Sequence, residues 1–234
     1  MLEKLSLLVA LAPLVACASQ VDSSHQGTAL AKIEGEIRNT RTQPLTSNGA
    51  EVVAVWLADS GSGDITVAES VDVSGSFPAQ FSLSIYEPPM DTLLNDLGGV
   101  KIGLAFIIAG VPGTDYSDRA SARAGMLGME ENHVLVYVPQ DVPAGSRVSL
   151  LLRGTPTAGF HLYGVHKLTD AEREARSACI DELGPEPTLD ELYSTCGGPS
   201  TSNDDLVPLA TDLQTPLEIN LVDDVSQIDG PNLN

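Results

Sequence analysis

The sequence predicts an all-β domain, a β-sandwich of about eight or nine mainly antiparallel strands, with a small disulfide-linked two-helix insertion near the C-terminus. Three observations carry this. Most apolar segments after Gly27 repeat with a period of two residues, the spacing of a strand with one buried face. Clusters of Gly, Pro, Ser, Asp and Asn separate these segments at short intervals, as turns between consecutive strands do. Residues 169–197 break that period, carry two helix-start signatures and hold two of the three cysteines.

The chain begins MLEKLSLLVALAPLVACASQ. Lys4, offset by Glu3, precedes 11 mostly apolar residues from Leu5 to Val15, and small residues follow at Ala16 and Ala18. A spanning helix needs roughly 20 apolar residues, so the stretch has the proportions of an export signal. Leu14, Val15, Ala16 and Cys17 resemble the lipobox of bacterial lipoproteins. That resemblance implies a diacylglyceryl group on the Cys17 thiol, cleavage of residues 1–16, and acylation, for example by palmitate, of the new amino terminus. Ala18 and Ser19 lack the Asp that retains enteric lipoproteins at the inner membrane, which implies the outer membrane. The resemblance ends at Ala18 and carries nothing about the fold beyond it. ASQVDSSHQG, Ala18 to Gly27, is polar and aperiodic and reads as a tether spanning roughly 30 Å at most.

The sandwich domain is expected over residues 28–224. In AKIEGEIR, Ala31, Ile33, Gly35 and Ile37 share one face while Lys32, Glu34, Glu36 and Arg38 share the other, a half-buried strand. EVVAVWLA, from Glu51, is apolar on both faces, as an inner strand is. DSGSGD then forms a hairpin loop to ITVAESVDV, Ile65 to Val73. FSLSIY alternates until Pro88 and Pro89, and a short helical turn is expected from Asp91 to Leu97, before Gly98 and Gly99. VKIGLAFII, Val100 to Ile108, is the most buried candidate. After a loop of small and polar residues, HVLVYV, RVSLLL (Arg147 to Leu152) and FHLYGVH read as further strands.

Next comes the helical insertion. Thr169 with Glu172, and Thr188 with Glu191, have capping-box spacing, in which hydroxyl and carboxylate each satisfy a free N–H at a helix start. Gly184, Pro185 and Pro187 separate the helices, and Gly197 closes the second. Ala171, Ala175, Ala178 and Cys179 line one helix, and Leu189, Leu192, Tyr193 and Cys196 the other, so the two cysteines can face each other. With Cys17 committed to lipid, Cys179 and Cys196 remain as an even pair for an oxidising compartment. LEINLV, Leu217 to Val222, is expected to return and complete the sandwich, which would place the helices between the last two strands. Residues 225–234 read as a flexible tail.

Composition narrows the function. Thirty-two Asp and Glu against 12 Lys and Arg give a net charge of -20. Such a surface repels phosphate backbones, whose binding needs basic side chains, and this excludes nucleic acid. No G-x-S-x-G, H-E-x-x-H or glycine-rich phosphate loop occurs. His161 and His166, near Tyr163, either border a pocket or are ordinary strand histidines; five positions apart, they point to opposite faces and cannot share a metal on a regular strand. Asp59 and Asp64 flank a loop that could offer oxygens to calcium, though a plain turn accounts for them too. Arg119 and Arg123 mark an anion or partner contact, or else balance Asp115 and Asp118. Trp56 sits inside a strand, where packing explains it.

The expected protein is therefore a lipid-anchored outer-membrane component, facing the periplasm or the cell exterior. It binds or scaffolds an envelope protein or extracellular ligand, with no cofactor beyond the covalent lipid on Cys17. A hydrolase using loop carboxylates and a calcium-dependent adhesion module are the alternatives.

Overall fold

Ile33 and Ile37 are buried in β1 (Ala31–Asn39) while Lys32, Glu34 and Arg38 on alternate positions reach solvent or stay only partly covered. This strand is the middle of a small sheet, and the alternation exists because only one of its faces meets the core. A computed structural model describes residues 27–43, 45, 49–57, 65–74, 76–185, 187–197 and 206–227. Beyond β1 these contain β2 (Gly49–Leu57), β3 (Ile65–Ser74), β4 (Ala79–Ile85), a 3-10 turn (Asp91–Leu93), β5 (Asn95–Asp96) and β6 (Lys101–Gly110). There follow α1 (Arg119–Gly125), β7 (Met126–Met129), β8 (His133–Val138), α2 (Arg147–Leu151), β9 (Gly159–Lys167), α3 (Asp170–Leu183) and α4 (Leu189–Cys196). β10 (Leu206–Thr211), β11 (Leu217–Leu221) and a second 3-10 turn (Val225–Gln227) end the series.

Two sheets result. The small one has the order β11-β1-β4, and the large one β10-β9-β8-β6-β2-β3, with β5 and β7 added alongside β6. Neighbours are antiparallel except for β1 and β11, which run parallel. Ala50, Val52, Ala54 and Trp56 of β2, with Ala105, Ile107 and Ala109 of β6, face Ile33, Ile37, Leu83, Ile85, Ile219 and Leu221 of the small sheet across one apolar core. Residues on the opposite face of the large sheet are buried as well, under two caps. The 111–125 segment lays Tyr116 and Ala122 over Val53, Val55, Phe106 and Ile108, and Val142, Val148 and Leu152 cover Ile102, Val136, Val138 and Tyr163. β2 and β6 are accordingly apolar on both faces, as read from their sequences.

The sheets are tied together at their ends. Val222 N donates to Leu127 O at 2.9 Å, and a Cβ on Gly128 would sit 2.3 Å from Asn220 O, so β7 passes β11 too closely for a side chain there. Where β1 and β11 finish, Thr40 Oγ1 donates to Leu221 O at 2.7 Å and Arg41 Nη1 to Val222 O at 3.0 Å. The Asp223 carboxylate accepts from the Thr42 hydroxyl, from Thr42 N at 2.8 Å and from Gln43 N at 3.3 Å. These donors hold its carboxyl below the usual aspartate range.

The domain is mixed α/β rather than all-β, and each departure has a physical cause. RVSLLL is not a strand: Arg147–Leu151 is a helix whose N-cap Ser146 accepts from Ser149 N at 3.1 Å. The stretch read as a loop around Arg119 and Arg123 holds α1, capped by the Asp118 side chain accepting from Ser121 N at 2.8 Å. The helical turn near Asp91 spans only Asp91–Leu93 before β5. LVPLAT, not foreseen, forms edge strand β10 despite Pro208, so α3 and α4 interrupt a β9–β10 hairpin and do not lie between the last two strands. The number of strands, eleven among the described residues, exceeds the eight or nine expected partly for this reason. The expected alanine face of α3 is also turned the other way: Ala171, Ala175 and Ala178 are exposed and Arg176 is buried. Among the described residues no helix is long and apolar enough to cross a membrane.

Candidate functional site

The capping boxes and the cysteine pair are formed as read. Thr169 and Glu172, like Thr188 and Glu191, bond reciprocally at the starts of α3 and α4. Two N–H groups that a helix start leaves free are thereby satisfied in each. Cys179 and Cys196 form a disulfide with Cα atoms 5.7 Å apart. Gly197 ends α4 in the left-handed region at φ 76°, which a side chain would strain. Near it the guanidinium nitrogens of Arg153 and Arg176 lie 3.6 and 3.9 Å from where a Cβ on Gly197 would sit, at the electronegative end of the helix.

The histidines of β9 do not converge. His161 lies on the strand face of Tyr163, which is buried under α2, and its Nε2 is 2.6 Å from Thr157 O. His166, on the other face, places Nε2 3.2 Å from Glu172 Oε1 at the start of α3. That contact and the bonds from Thr169 bring the Glu172 carboxyl down to about 2, the Thr169 bonds contributing most. The described bonds of Asp115 and Asp118 go to Ser117 and Ser121, so both acids serve turn and cap geometry, and Arg123 is exposed. Trp56 is packed as expected, its ring centroid 6.2 Å from that of Phe160, which lies 4.9 Å from Tyr137. Cys17, Asp59 and Asp64 lie outside the described residues. Among the described residues no group of three or more His, Cys, Asp or Glu is placed to hold a metal ion.

One arrangement of titratable groups was not visible in the sequence reading. Glu130, at the end of β7, is 2% exposed. Its Oε2 accepts from the backbone N–H groups of Asn132 and His133, and its Oε1 lies 3.0 Å from His133 Nδ1. Burial pushes the Glu130 carboxyl up from its ordinary range, and the bonds from His133 and Asn132 oppose that rise. A carboxylate on Nδ1 orients an imidazole as a base would require. Here the same carboxylate also closes the β7–β8 turn, and Asn132 O accepts from Val165 N of β9 at 2.6 Å. The couple therefore holds three strands in register. Glu130→Ala leaves two N–H donors of a half-buried turn without their carboxylate and is expected to cost about 2 kcal/mol. Glu130→Gln keeps an acceptor and should cost less. Urea denaturation of both variants checks this, and a midpoint for Glu130→Ala equal to the wild type would remove the structural role.

The chain matches no protein family model, and no curated protein or solved structure is significantly similar to it.

Proposed function

We propose that this chain is a lipid-anchored protein of the bacterial outer membrane, and that its domain binds or scaffolds a partner rather than carrying out catalysis. The observation that carries the reading is Leu14-Val15-Ala16-Cys17 directly behind an apolar run too short to span a bilayer. One acyl chain gives marginal membrane binding and several hold stably, so a diacylglyceryl group with an acylated amino terminus makes a spanning helix unnecessary. The disulfide between Cys179 and Cys196 supports export, because such bonds persist in oxidising compartments. The two facing sheets are read as a sandwich to which α1, α2 and the α3–α4 hairpin have been added. Support for a binding role comes from the titratable groups: Glu130, His133, His166 and Glu172 are engaged in turns and caps.

Fractionation of cells producing the wild type or Cys17→Ser tests the reading, combined with protease treatment of intact cells. The wild type is expected in the outer-membrane fraction and the variant in the soluble fraction. A soluble wild type would overturn it. Cleavage of the wild type from outside would direct the search for a partner to the extracellular side, and protection would direct it to the periplasm.

A further inference from the structure

We propose that the end of the domain bearing Leu30 and Met90 rests on the bilayer that holds the lipid of Cys17, with both side chains in its headgroup region; this rests on the lipoprotein reading above. Leu30 and Met90 are 53% and 62% exposed, the two most exposed of three large exposed hydrophobics among the described residues. Single exposed apolar residues are ordinary on a protein surface. What distinguishes these two is their shared position. Leu30 opens β1, and its N–H donates to Ile85 O at the end of β4, 2.7 Å away. Met90 follows that same strand end. It is carried on a fixed turn, since its carbonyl accepts from Leu93 N at 2.8 Å and the buried Pro89 packs toward Gly103 near the start of β6.

The covalent path to the lipid ends at the same place. From Cys17 to Gly27 the chain advances ten residues, which span at most roughly 30 Å. A lipid on Cys17 therefore keeps Gly27, three residues before Leu30, within that span of the membrane. Tethering of this kind gives a high effective concentration, so a contact too weak to bind free protein becomes populated. Local charge is partly balanced at this end, where the exposed Glu87 and Asp96 remain and two other acids are paired. Asp91, next to Met90, is paired with Lys101 Nζ at 3.2 Å, and Lys32 is paired with Glu34. The Asp223 bonds lie at the opposite end of β1, and the exposed Glu131 follows Glu130, whose N–H donates to Ile107 O, six residues along β6 from Lys101. The third exposed apolar residue, Leu209, is on β10 opposite Gly164, away from the tether.

The test uses the chain from Cys17 to Asn234 with its disulfide closed, coupled through the Cys17 thiol to a maleimide phospholipid in phosphatidylcholine vesicles whose acyl chains carry bromine. Met90→Trp and Glu131→Trp each add one indole to the buried Trp56. Emission from the Met90→Trp indole is expected to be quenched at least about twofold more than that of Glu131→Trp. Adding Leu30→Asp should reduce the quenching. Equal quenching of the two indoles, or none at Met90→Trp, would overturn the proposal. The mass of the chain extracted from cell envelopes reads the lipoprotein assignment separately. A chain without acyl groups on Cys17 overturns that assignment, and the docking in cells with it, even where the chemically coupled protein is quenched.

Discussion

Replacing Cys179 and Cys196 together by alanine is expected to lower stability by about 3 kcal/mol, the chain-entropy value for closing a loop of this length. The bond joins residues 17 apart in sequence and holds α4 against α3. α4 has only eight residues, well below the length at which a helix persists alone in water. Leu192 is buried, and α4 also packs against α2 and meets Arg153 and Arg176 at its end, so the bond adds to a small packed contact and a capping box. The loss should therefore be local first. Amide exchange in α4 is expected to accelerate far more than exchange in β2 or β6, and the denaturation midpoint to fall. An unchanged midpoint together with unchanged exchange in α4 would show that the hairpin is held by its packing alone.

Gly35→Ala is expected to be as damaging, at about 3 kcal/mol or more. Gly35 lies on the core face of β1, between Ile33 and Ile37, and pairs with Leu217 on one side and Phe81 on the other. A Cβ there would sit 2.5 Å from Leu217 O and 2.6 Å from two atoms of the Phe81 ring. One obstacle is backbone of a paired strand and the other a buried ring, so neither yields without moving β11 or β4. The residue occupies an apolar position of the strand because backbone and ring already fill the space. Loss of cooperative unfolding, or a midpoint about 1 to 2 M urea lower, is the expected reading by circular dichroism. A midpoint matching the wild type would mean that the two strands separate cheaply.

How much of this was legible in the sequence depends on what each residue's neighbours are. AKIEGEIR could be read position by position because core and solvent alternate along it. EVVAVWLA and VKIGLAFII could be read as inner strands because both their faces are covered, although nothing in them says that α1 and α2 provide the second cover. RVSLLL is too short to separate the two periods. Val148 and Leu152 are one helical turn apart and also two steps along a strand, and Ser146 was the only local sign of a helix. LVPLAT was hidden by Pro208, which is compatible with an edge strand but argues against a central one. On α3 hydrophobicity pointed the wrong way, since alanine tolerates solvent while the long stem of Arg176 packs and carries its guanidinium to the end of α4. The Glu130 and His133 couple looks in sequence like any polar turn. Only its burial, contributed by strands distant along the chain, distinguishes it.

The parallel pairing of β1 with β11 has a mechanical consequence. Tension applied between the start of β1 and the end of β11 pulls the two strands along their length in opposite directions. Five residue pairs, from Gly35 with Leu217 to Asn39 with Leu221, then carry the load together, and none can be peeled before the others. The bonds of Thr40, Arg41 and Asp223 reinforce the far end of the same seam. A domain held by lipid at its first strand and tugged beyond its last would resist in shear rather than unzip.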